Sequence, residues 1–330
     1  MLRRFAEAGV AILFISHKLE EIRSLTERAT VLRRGQNVGT VESRKKTSKQ
    51  LAEMMVGMAV GDIERREQGV GQPPAIFEVS GLSRDRETQF SSPLRDISVV
   101  ARAGEVLGVA GIAGNGQDEF MEALTGEWRA PSAAMITVDS HQIGTAGPAR
   151  RRQFGIGFVP EERNGHAAVT SMTLADNALL TGHSLDNVVR RGVIERAQMM
   201  QMAGEIASEF DVRLPEDNPL ASSLSGGNLQ KFVVGREIIK RPRVFIVSQP
   251  TWGVDVGAAL FIRRAMLELA AEGSAVIMIS QDLEEIFAIS HRIAVLYDGS
   301  LSEPVVAADV TPESIGLLMG GSRSMDEART

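Results

Sequence analysis

The chain has 330 residues, of which 43% are hydrophobic, 24% are charged and none is cysteine. This composition is typical of globular domains, and it excludes disulfides and thiolate metal sites. The formal net charge of −6 gives no reason to expect nucleic-acid binding. No apolar run approaches the roughly 20 residues that a membrane-spanning helix needs. We therefore expect a cytosolic chain that reaches a membrane only through partners.

The N-terminal part of the chain is repeated near its C-terminus. Residues 9–36 read GVAILFISHKLEEIRSLTERATVLRRGQ and residues 273–300 read GSAVIMISQDLEEIFAISHRIAVLYDGS, so 12 of 28 positions are identical at an offset of 264 residues. The similarity resumes at the same offset between Thr47–Gly57 and Thr311–Gly321. In both copies an apolar run predicts a buried strand, a following Leu-Glu-Glu-Ile segment predicts a helix, and a second strand turns at a glycine.

A repeat of this length indicates a duplicated domain, because the alternative of chance similarity does not explain why two separate blocks keep one register. The complete copy begins near residue 75, which places the start of the other about 190 residues before Met1. We expect residues 1–60 to be the C-terminal remnant of a first domain in an N-terminally truncated chain. Residues 61–74, GDIERREQGVGQPP, have the composition of a linker. Residues 75–330 then form the second domain.

A phosphate-binding loop is predicted between a strand and a helix in the segment EVLGVAGIAGNGQDEFMEAL. Backbone N–H groups of such a loop and the N-terminus of the helix together bind anions. The usual pattern requires Lys and then Ser or Thr after the last glycine, whereas Gln117 and Asp118 stand there. Without the other motifs, a plain strand–turn–helix corner would explain the segment equally well. The candidate nucleotide-binding residues here are Gly111, Gly114, Asn115, Gly116, Gln117 and Asp118.

A second element suited to a phosphate is the segment LSGGNLQK, which precedes a predicted helix. Ser225 is a favourable N-cap, and Gly226 and Gly227 leave the backbone bare at the helix N-terminus. A helix cap with no ligand is the alternative, but the phosphate loop upstream makes a nucleotide site the better interpretation. Gln230 of the same segment is included among the nucleotide-binding candidates.

An apolar strand, RVFIVSQPT, ends in Ser248 and Gln249. An ATPase of this layout carries Asp-Glu at these positions, which hold Mg²⁺ and polarise water. Glutamine carries no charge and cannot accept the proton. In the following segment WGVDVG, Asp255 is placed to organise a loop at a domain contact. At the end of the next strand, Gln281 stands where the first copy has His17.

The order of these motifs resembles that of the ABC-transporter ATPases, and most of all the fused two-domain subunits of sugar-type importers. In the branch associated with nucleosides, the second domain commonly has GNGQ in its phosphate loop and LSGGNLQK as its signature. Both stand here, at Gly114–Gln117 and Leu224–Lys231. The resemblance spans residues 76–321, and the repeat extends it to residues 1–57. It implies an α/β P-loop NTPase fold with a mainly parallel sheet, an antiparallel β subdomain and a helical subdomain.

The resemblance also implies ATP and Mg²⁺ as cofactors, with each ATP bound between the phosphate loop of one domain and the signature of the other. On that basis His17 is the switch histidine of the first domain, and it works with Ser225 and the two signature glycines in a competent site. The other site is degenerate, because its chemically demanding positions are neutral or carry the wrong charge. Those positions are Gln117, Asp118, Ser248, Gln249 and Gln281.

Two further assignments follow from the resemblance. Glu161, in the segment VPEER, stands where the family's Q-loop usually has Gln, and this loop leads toward the membrane-subunit contact. Phe90 is the nearby aromatic residue available to stack on adenine, although a plain surface Phe is nearly as good an explanation. Asp139, His141 and His166 have no metal-ligand spacing, so we expect no metal held by the protein alone.

The implied partners are integral-membrane permease subunits and, through them, a periplasmic or lipoprotein solute-binding protein. The expected location is the cytoplasmic face of the bacterial inner membrane, as a peripheral subunit. The function predicted is energy coupling for import of nucleosides or simple sugars, and the alternative is a non-catalytic nucleotide-binding fragment. A soluble ABC ATPase of translation or DNA repair is disfavoured, because the linker contains neither a long charged helix nor a coiled coil.

Overall fold

The computed structural model of the chain describes residues 1–16, 18–33, 35–57, 73–183 and 188–322. Of the predicted linker, only residues 73 and 74 are among them. No helix in these ranges is both long enough and apolar enough to cross a bilayer.

The first described elements form a helix, a second helix, a hairpin and a third helix. The last helix begins with a capping box, in which the Thr47 hydroxyl accepts from the Gln50 N–H and the Gln50 side chain accepts from the Thr47 N–H, both at 3.1 Å. The elements are α1 (Leu2–Glu7), α2 (Leu19–Leu25), β1 (Arg28–Arg33), β2 (Gln36–Glu42) and α3 (Ser48–Val56).

The rest of the described chain alternates strands and helices. Up to residue 159 the elements are β3 (Ala75–Arg84), β4 (Leu94–Arg102), β5 (Val106–Ala110), α4 (Gln117–Thr125), β6 (Ile136–Val138), β7 (His141–Gln142), α5 (Pro148–Gln153) and β8 (Ile156–Val159). Then follow α6 (Leu174–Gly182), β9 (Val189–Arg190), β10 (Val193–Ile194), α7 (Arg196–Glu209) and α8 (Gly226–Ile238). The last are β11 (Val244–Ser248), α9 (Val256–Ala271), β12 (Ala275–Ser280), α10 (Leu283–Ile289), β13 (Arg292–Tyr297), β14 (Ser300–Leu301), β15 (Val305–Val306) and α11 (Pro312–Met319).

The main sheet is largely parallel. Strands β13, β5, β12, β11 and β8 lie side by side in this order and are parallel, while β14 and β15 pair antiparallel to β13. A separate antiparallel sheet has the order β4–β3–β6–β7, and helices α6, α7 and α8 contact one another. The predicted α/β P-loop fold, with an antiparallel β subdomain and a helical subdomain, is confirmed.

The core lies on both faces of the main sheet, as a parallel sheet requires. In β12, Val276 and Met278 pack toward the helices α6–α9, whereas Ile277 and Ile279 pack toward the antiparallel sheet and α4. The same alternation runs through β5 and β11, since successive side chains of a strand point to opposite faces. The loops at the C-terminal ends of these strands carry the candidate site.

The repeat seen in the sequence is also present in the secondary structure. With the offset of 264 residues applied, α2 coincides with α10, β1 coincides with β13, and α3 begins at the position of α11. Both α3 and α11 begin with a capping box on a threonine. Helix α3 of the N-terminal copy packs on α9 and has Leu51 and Ala52 buried.

The prediction of a buried strand at residues 10–15 is wrong. No strand is formed there, and the side chains of Leu13 and Ile15 are 92% and 89% exposed. The matching run in the other copy is β12, which hydrogen-bonds to β5 on one side and β11 on the other. Among the described residues no strand lies beside residues 10–15, so their backbone groups lack the pairing that defines a strand.

We expect the backbone amides of residues 11–15 to exchange with solvent almost without protection, because they have no ladder partners. Hydrogen exchange read by mass spectrometry should compare them with the matched segment 275–279, whose amides should be among the slowest in the chain. Protection of residues 11–15 equal to that around Val244–Val247 would contradict the described conformation.

A buried ionic cluster joins the helical subdomain to the sheet. Glu237 of α8 has no exposed side-chain surface, and its carboxylate accepts from Arg236 at 3.0 Å, from Lys240 at 3.2 Å and from Arg152. Burial by itself would raise the pKa of Glu237, but Lys240, Arg152 and Arg236 together lower this pKa to about 2. Three cations therefore depend on one carboxylate.

Replacing Glu237 with Gln is expected to destabilise the protein by about 3–5 kcal/mol at pH 7, because it leaves buried cations without their anion. Since the pKa of Glu237 is lowered by folding, its contribution is complete above the ordinary value of 4.5 and is lost as the pH falls through about 2. The stabilities of wild type and variant should therefore converge at low pH. Denaturant unfolding at several pH values measures this.

The matched control is Glu272→Gln, which removes an exposed carboxylate that pairs with Arg241 at 2.7 Å. Its effect should stay within about 0.5 kcal/mol. A change below about 1 kcal/mol for Glu237→Gln would refute the proposed dependence of the cluster on this carboxylate.

Candidate nucleotide-binding site

The predicted phosphate loop connects β5 to α4, the strand–loop–helix arrangement expected from the sequence. Gly114 and Gly116 have φ values of +87° and +107°. Glycine adopts this left-handed conformation without strain, and Gly116 is the N-cap of α4. The loop therefore turns tightly and directs backbone N–H groups of the first turn of α4 toward its interior.

The side chain of Gln117 is turned back into this loop. Its Nε2 donates to the carbonyl of Ile112 at 2.8 Å, and its Oε1 accepts from the N–H of Asn115 at 3.1 Å. The side chain is buried, and a Cβ added at Gly111 would lie 2.4 Å from Nε2. The Gln117 amide thus lies against Gly111. It bridges the two sides of the loop, in the space that the loop backbone encloses.

The surroundings of the loop are acidic. Desolvation raises the pKa of Asp118, and the neighbouring carboxylates of Glu119 and Glu122 raise it further. Desolvation also raises the pKa of Glu161, and Asp118 adds to this effect. The structure therefore brings Asp118 and Glu161 near each other. Both side chains are acidic, whereas a side chain that binds phosphate through its charge is basic.

The signature residues form a second cluster with Asp255. Helix α8 begins at Gly226 with Ser225 as its N-cap, and the Ser225 hydroxyl accepts from Asn228 Nδ2 at 3.1 Å. A Cβ on Gly227 would lie 3.2 Å from a carboxylate oxygen of Asp255, which itself caps the first turn of α9. Ser225 and Gly226 are exposed, so their backbone groups and hydroxyl are accessible to a second molecule.

Arg163 links this cluster to a third loop, and no sequence motif predicted this role. Its guanidinium donates to the carbonyl of Gly226 at 2.9 Å and to the carbonyl of Trp252. A Cβ on Gly226 would lie 2.7 Å from the guanidinium, and one on Gly253 would lie 3.1 Å from it. The two glycines thus make room for the arginine, whose pKa is lowered by desolvation. The Trp252 side chain is 63% exposed beside this contact.

The strand-end residues form a buried network. Ser248 and Gln249 are buried, and the Gln249 side-chain oxygen accepts from the Gln281 N–H at 3.4 Å. The Ser280 hydroxyl donates to the buried carboxylate of Glu285 at 2.8 Å. Gln249 has a φ of +49°, an unusual conformation for this residue. Gln230 is buried and donates to the backbone carbonyl of the residue after Gln249 at 2.9 Å. This group positions amides where an ATPase needs carboxylates.

The predicted switch histidine, His17, lies outside the described residues. The turn around it is described on both sides: the Ser16 hydroxyl accepts from the N–H of Lys18 at 3.0 Å. In the other copy, the Ser280 hydroxyl accepts from the N–H of Asp282 at 3.1 Å. The role of His17 remains a prediction.

The remaining candidates stand apart from these clusters. Phe90 is 88% exposed, so its adenine-stacking role also remains a prediction. Asp139 pairs with Arg243 at 2.9 Å, and His166 pairs with Glu127 at 2.9 Å. Across the described ranges, no group of three or more His, Cys, Asp or Glu side chains is arranged to hold a metal ion.

Comparison with known proteins gives consistent results. The family described as ABC transporter matches residues 94–252. The nucleoside import ATP-binding protein NupA of Lactococcus lactis is 38% identical over 97% of this chain and 63% of its own length. The guanosine import ATP-binding protein NupO of Bacillus subtilis is 35% identical over 100% of this chain and 64% of its own length. The chain thus spans less than two thirds of these relatives.

Solved structures agree at the level of the fold. The ATP-binding cassette MJ0796, in a dimeric post-hydrolysis state, superposes with a TM-score of 0.60 and 18% identity. The match covers 70% of this chain and 99% of that one. Together with the phosphate loop, the signature and the parallel sheet described above, these matches show an ABC transporter domain in residues 94–252 and a similarity to import ATP-binding proteins along almost the whole chain.

Proposed function

We propose that this chain acts as the ATP-binding, energy-coupling subunit of an importer for nucleosides or simple sugars. The observation that carries the proposal is the similarity along almost the whole chain to subunits named for import of nucleosides, guanosine and ribose. The solute class rests on these relatives alone, because an ATP-binding subunit does not contact the transported solute.

The N-terminal segment fits this proposal as the C-terminal part of a first cassette. Residues 1–60 would be that part, residues 61–74 the linker, and residues 75–330 the second cassette. The element-by-element agreement at one offset supports this division. In such a pair, His17 and the signature around Ser225 would belong to one composite ATP site, and residues 111–118 to the other.

The phosphate-loop site does not fit a hydrolysable complex of Mg²⁺ and ATP. The amide of Gln117 occupies the loop interior, and Asp118 and Glu161 place two carboxyl groups beside it. At the strand end, Gln249 offers an amide in place of a general base. Mg²⁺ and catalysis are therefore assigned to the site that uses the signature of this chain.

A second candidate function, a non-catalytic nucleotide-binding fragment, is favoured by the uncharged side chains of Ser248, Gln249 and Gln281 at the strand ends. The importer proposal additionally requires partners: permease subunits in the membrane, a periplasmic or lipoprotein solute-binding protein beyond them, and a peripheral position at the cytoplasmic face. The exposed signature face and the exposed apolar run at residues 10–15 are surfaces that such an assembly would cover.

Uptake of labelled nucleosides distinguishes the two functions. The chain should be joined to the portion of NupA that it does not cover and expressed with the NupA permease in cells that lack their own importer. The importer proposal predicts ATP-dependent nucleoside uptake above that of cells with the permease alone. If the chimera is stable and membrane-associated but supports no uptake, the result would favour the non-catalytic fragment.

A further inference from the structure

We propose that Gln117 is an internal ligand of the phosphate loop, whose amide takes the place of a bound phosphate and thereby weakens the affinity of this loop for polyphosphates. Gln117 is then an affinity-determining residue of the degenerate site, and it acts against binding. The inference rests on the proposed function only in treating residues 111–118 as a nucleotide site.

Gln117 already uses hydrogen-bonding groups inside the loop. A loop of this kind binds an anion through N–H groups that point into one concave space. The N–H of Asn115 is already donated to Gln117 Oε1 at 3.1 Å. The other end of the amide is held by the carbonyl of Ile112 at 2.8 Å. An arriving phosphate oxygen competes with Gln117 Oε1 for the Asn115 N–H, and moving the amide aside also breaks its bond to the Ile112 carbonyl, which costs affinity.

The loop is held in shape from outside, independently of Gln117. The carbonyl and side-chain oxygen of Asn115 accept from Gly299 and Asp298 N–H groups, both at 2.9 Å. The Ser92 hydroxyl donates to the carbonyl of Gly114 at 2.7 Å. Removal of the Gln117 side chain is therefore expected to leave a preformed loop with free N–H groups.

Charge also disfavours polyphosphate binding at this loop. The segment from Glu105 to Leu124 contains no Lys or Arg, so no cation of the loop itself offsets a phosphate. The carboxyl groups of Asp118 and Glu161 lie close enough to affect each other. The loop thus discriminates most strongly against the most highly charged ligands, and inorganic tripolyphosphate is the most sensitive probe of its state.

The test is a binding titration of the purified full chain with tripolyphosphate and with ATP, measured by calorimetry at constant ionic strength. We expect Gln117→Ala to bind both ligands about tenfold more tightly than wild type, because the two hydrogen bonds of the Gln117 amide no longer have to be broken when the ligand binds. Gln117→Asn should shift affinity in the same direction, since its shorter side chain cannot reach both partners. Gln201→Ala, on the exposed face of α7, should leave affinity unchanged.

A conventional contact from Gln117 to the nucleotide predicts the opposite result. Weaker or unchanged binding by folded Gln117→Ala and Gln117→Asn would overturn the proposal. Circular dichroism and thermal midpoints establish that each variant is folded, and Gln117→Asn decides the question if Gln117→Ala is not. These outcomes are independent of the uptake experiment. A gain of affinity in Gln117→Ala would stand even if the chimera supports no uptake, and uptake would stand even if the affinity does not rise.

Discussion

The isolated chain is expected to hydrolyse ATP at a negligible rate, several orders of magnitude below that of a complete importer ATPase. Its phosphate loop has Gln117 where a cation would stabilise the transferred phosphate, and Gln249 stands where a carboxylate would polarise water. Electrostatic stabilisation and general-base catalysis each contribute roughly 10²- to 10⁴-fold to rate. Phosphate release from purified protein, followed over hours, measures the remaining activity.

Trace contaminants are the main hazard in such an assay, and two controls address them. Residual turnover should be the same in Ser225→Arg, which alters the exposed signature, and it should not follow the chain through a second chromatographic step. Full-length NupA, prepared in parallel, gives the reference rate. Turnover by the isolated chain at a rate comparable to NupA would refute the assignment of the degenerate positions.

Joining the chain to the uncovered portion of NupA is expected to restore turnover that depends on His17 and Ser225. In the proposed pair of cassettes, His17 contacts the γ-phosphate and the attacking water. Ser225 and the backbone N–H groups after it would bind the same phosphate from the other cassette. His17→Ala and Ser225→Arg should therefore each reduce turnover at least about 100-fold.

Gln281→Ala is the matched control, because Gln281 occupies the position of His17 in the other copy. Its site lacks the cation and the carboxylate, so most of the turnover should remain. Nucleotide binding and thermal midpoints should be measured for all three variants, to separate lost chemistry from lost folding. Equal damage from Gln281→Ala and His17→Ala would contradict the division into one competent and one degenerate site.

The sequence predicted those parts of the fold that depend on local pattern. The apolar run of β5, the glycines of the phosphate loop and the cap at Ser225 are local properties, and each appears in the structure at its predicted place. The buried strand expected at residues 10–15 is absent, because a strand also depends on neighbours. An apolar run predicts that a segment is buried in a sheet, but it does not show whether the neighbouring strands are present. Among the described residues none lies beside residues 10–15.

Side-chain direction is the other property that the sequence could not provide. The sequence shows that Gln117 departs from the phosphate-loop pattern. It does not show that the Gln117 amide folds back to Ile112 and Asn115. Arg163 belongs to a recognised segment, yet its acceptors are main-chain carbonyls 63 and 89 residues away in sequence. A side chain that donates to main-chain carbonyls needs no complementary side chain, so no partner residue can be found from the sequence. The sequence features associated with this contact are Gly226 and Gly253, which make room for the guanidinium.

The exposed indole beside the Arg163 contact gives the protein an optical reporter. The chain contains two tryptophans, Trp252 at the signature face and Trp128, which lies beneath the guanidinium of Arg84 at 5.2 Å. A Trp128→Phe protein therefore has a single tryptophan, 63% exposed, whose fluorescence should be red-shifted and readily quenched by acrylamide. Docking of a second cassette on the signature face would shift the emission to the blue and shield it, so assembly can be followed without any label.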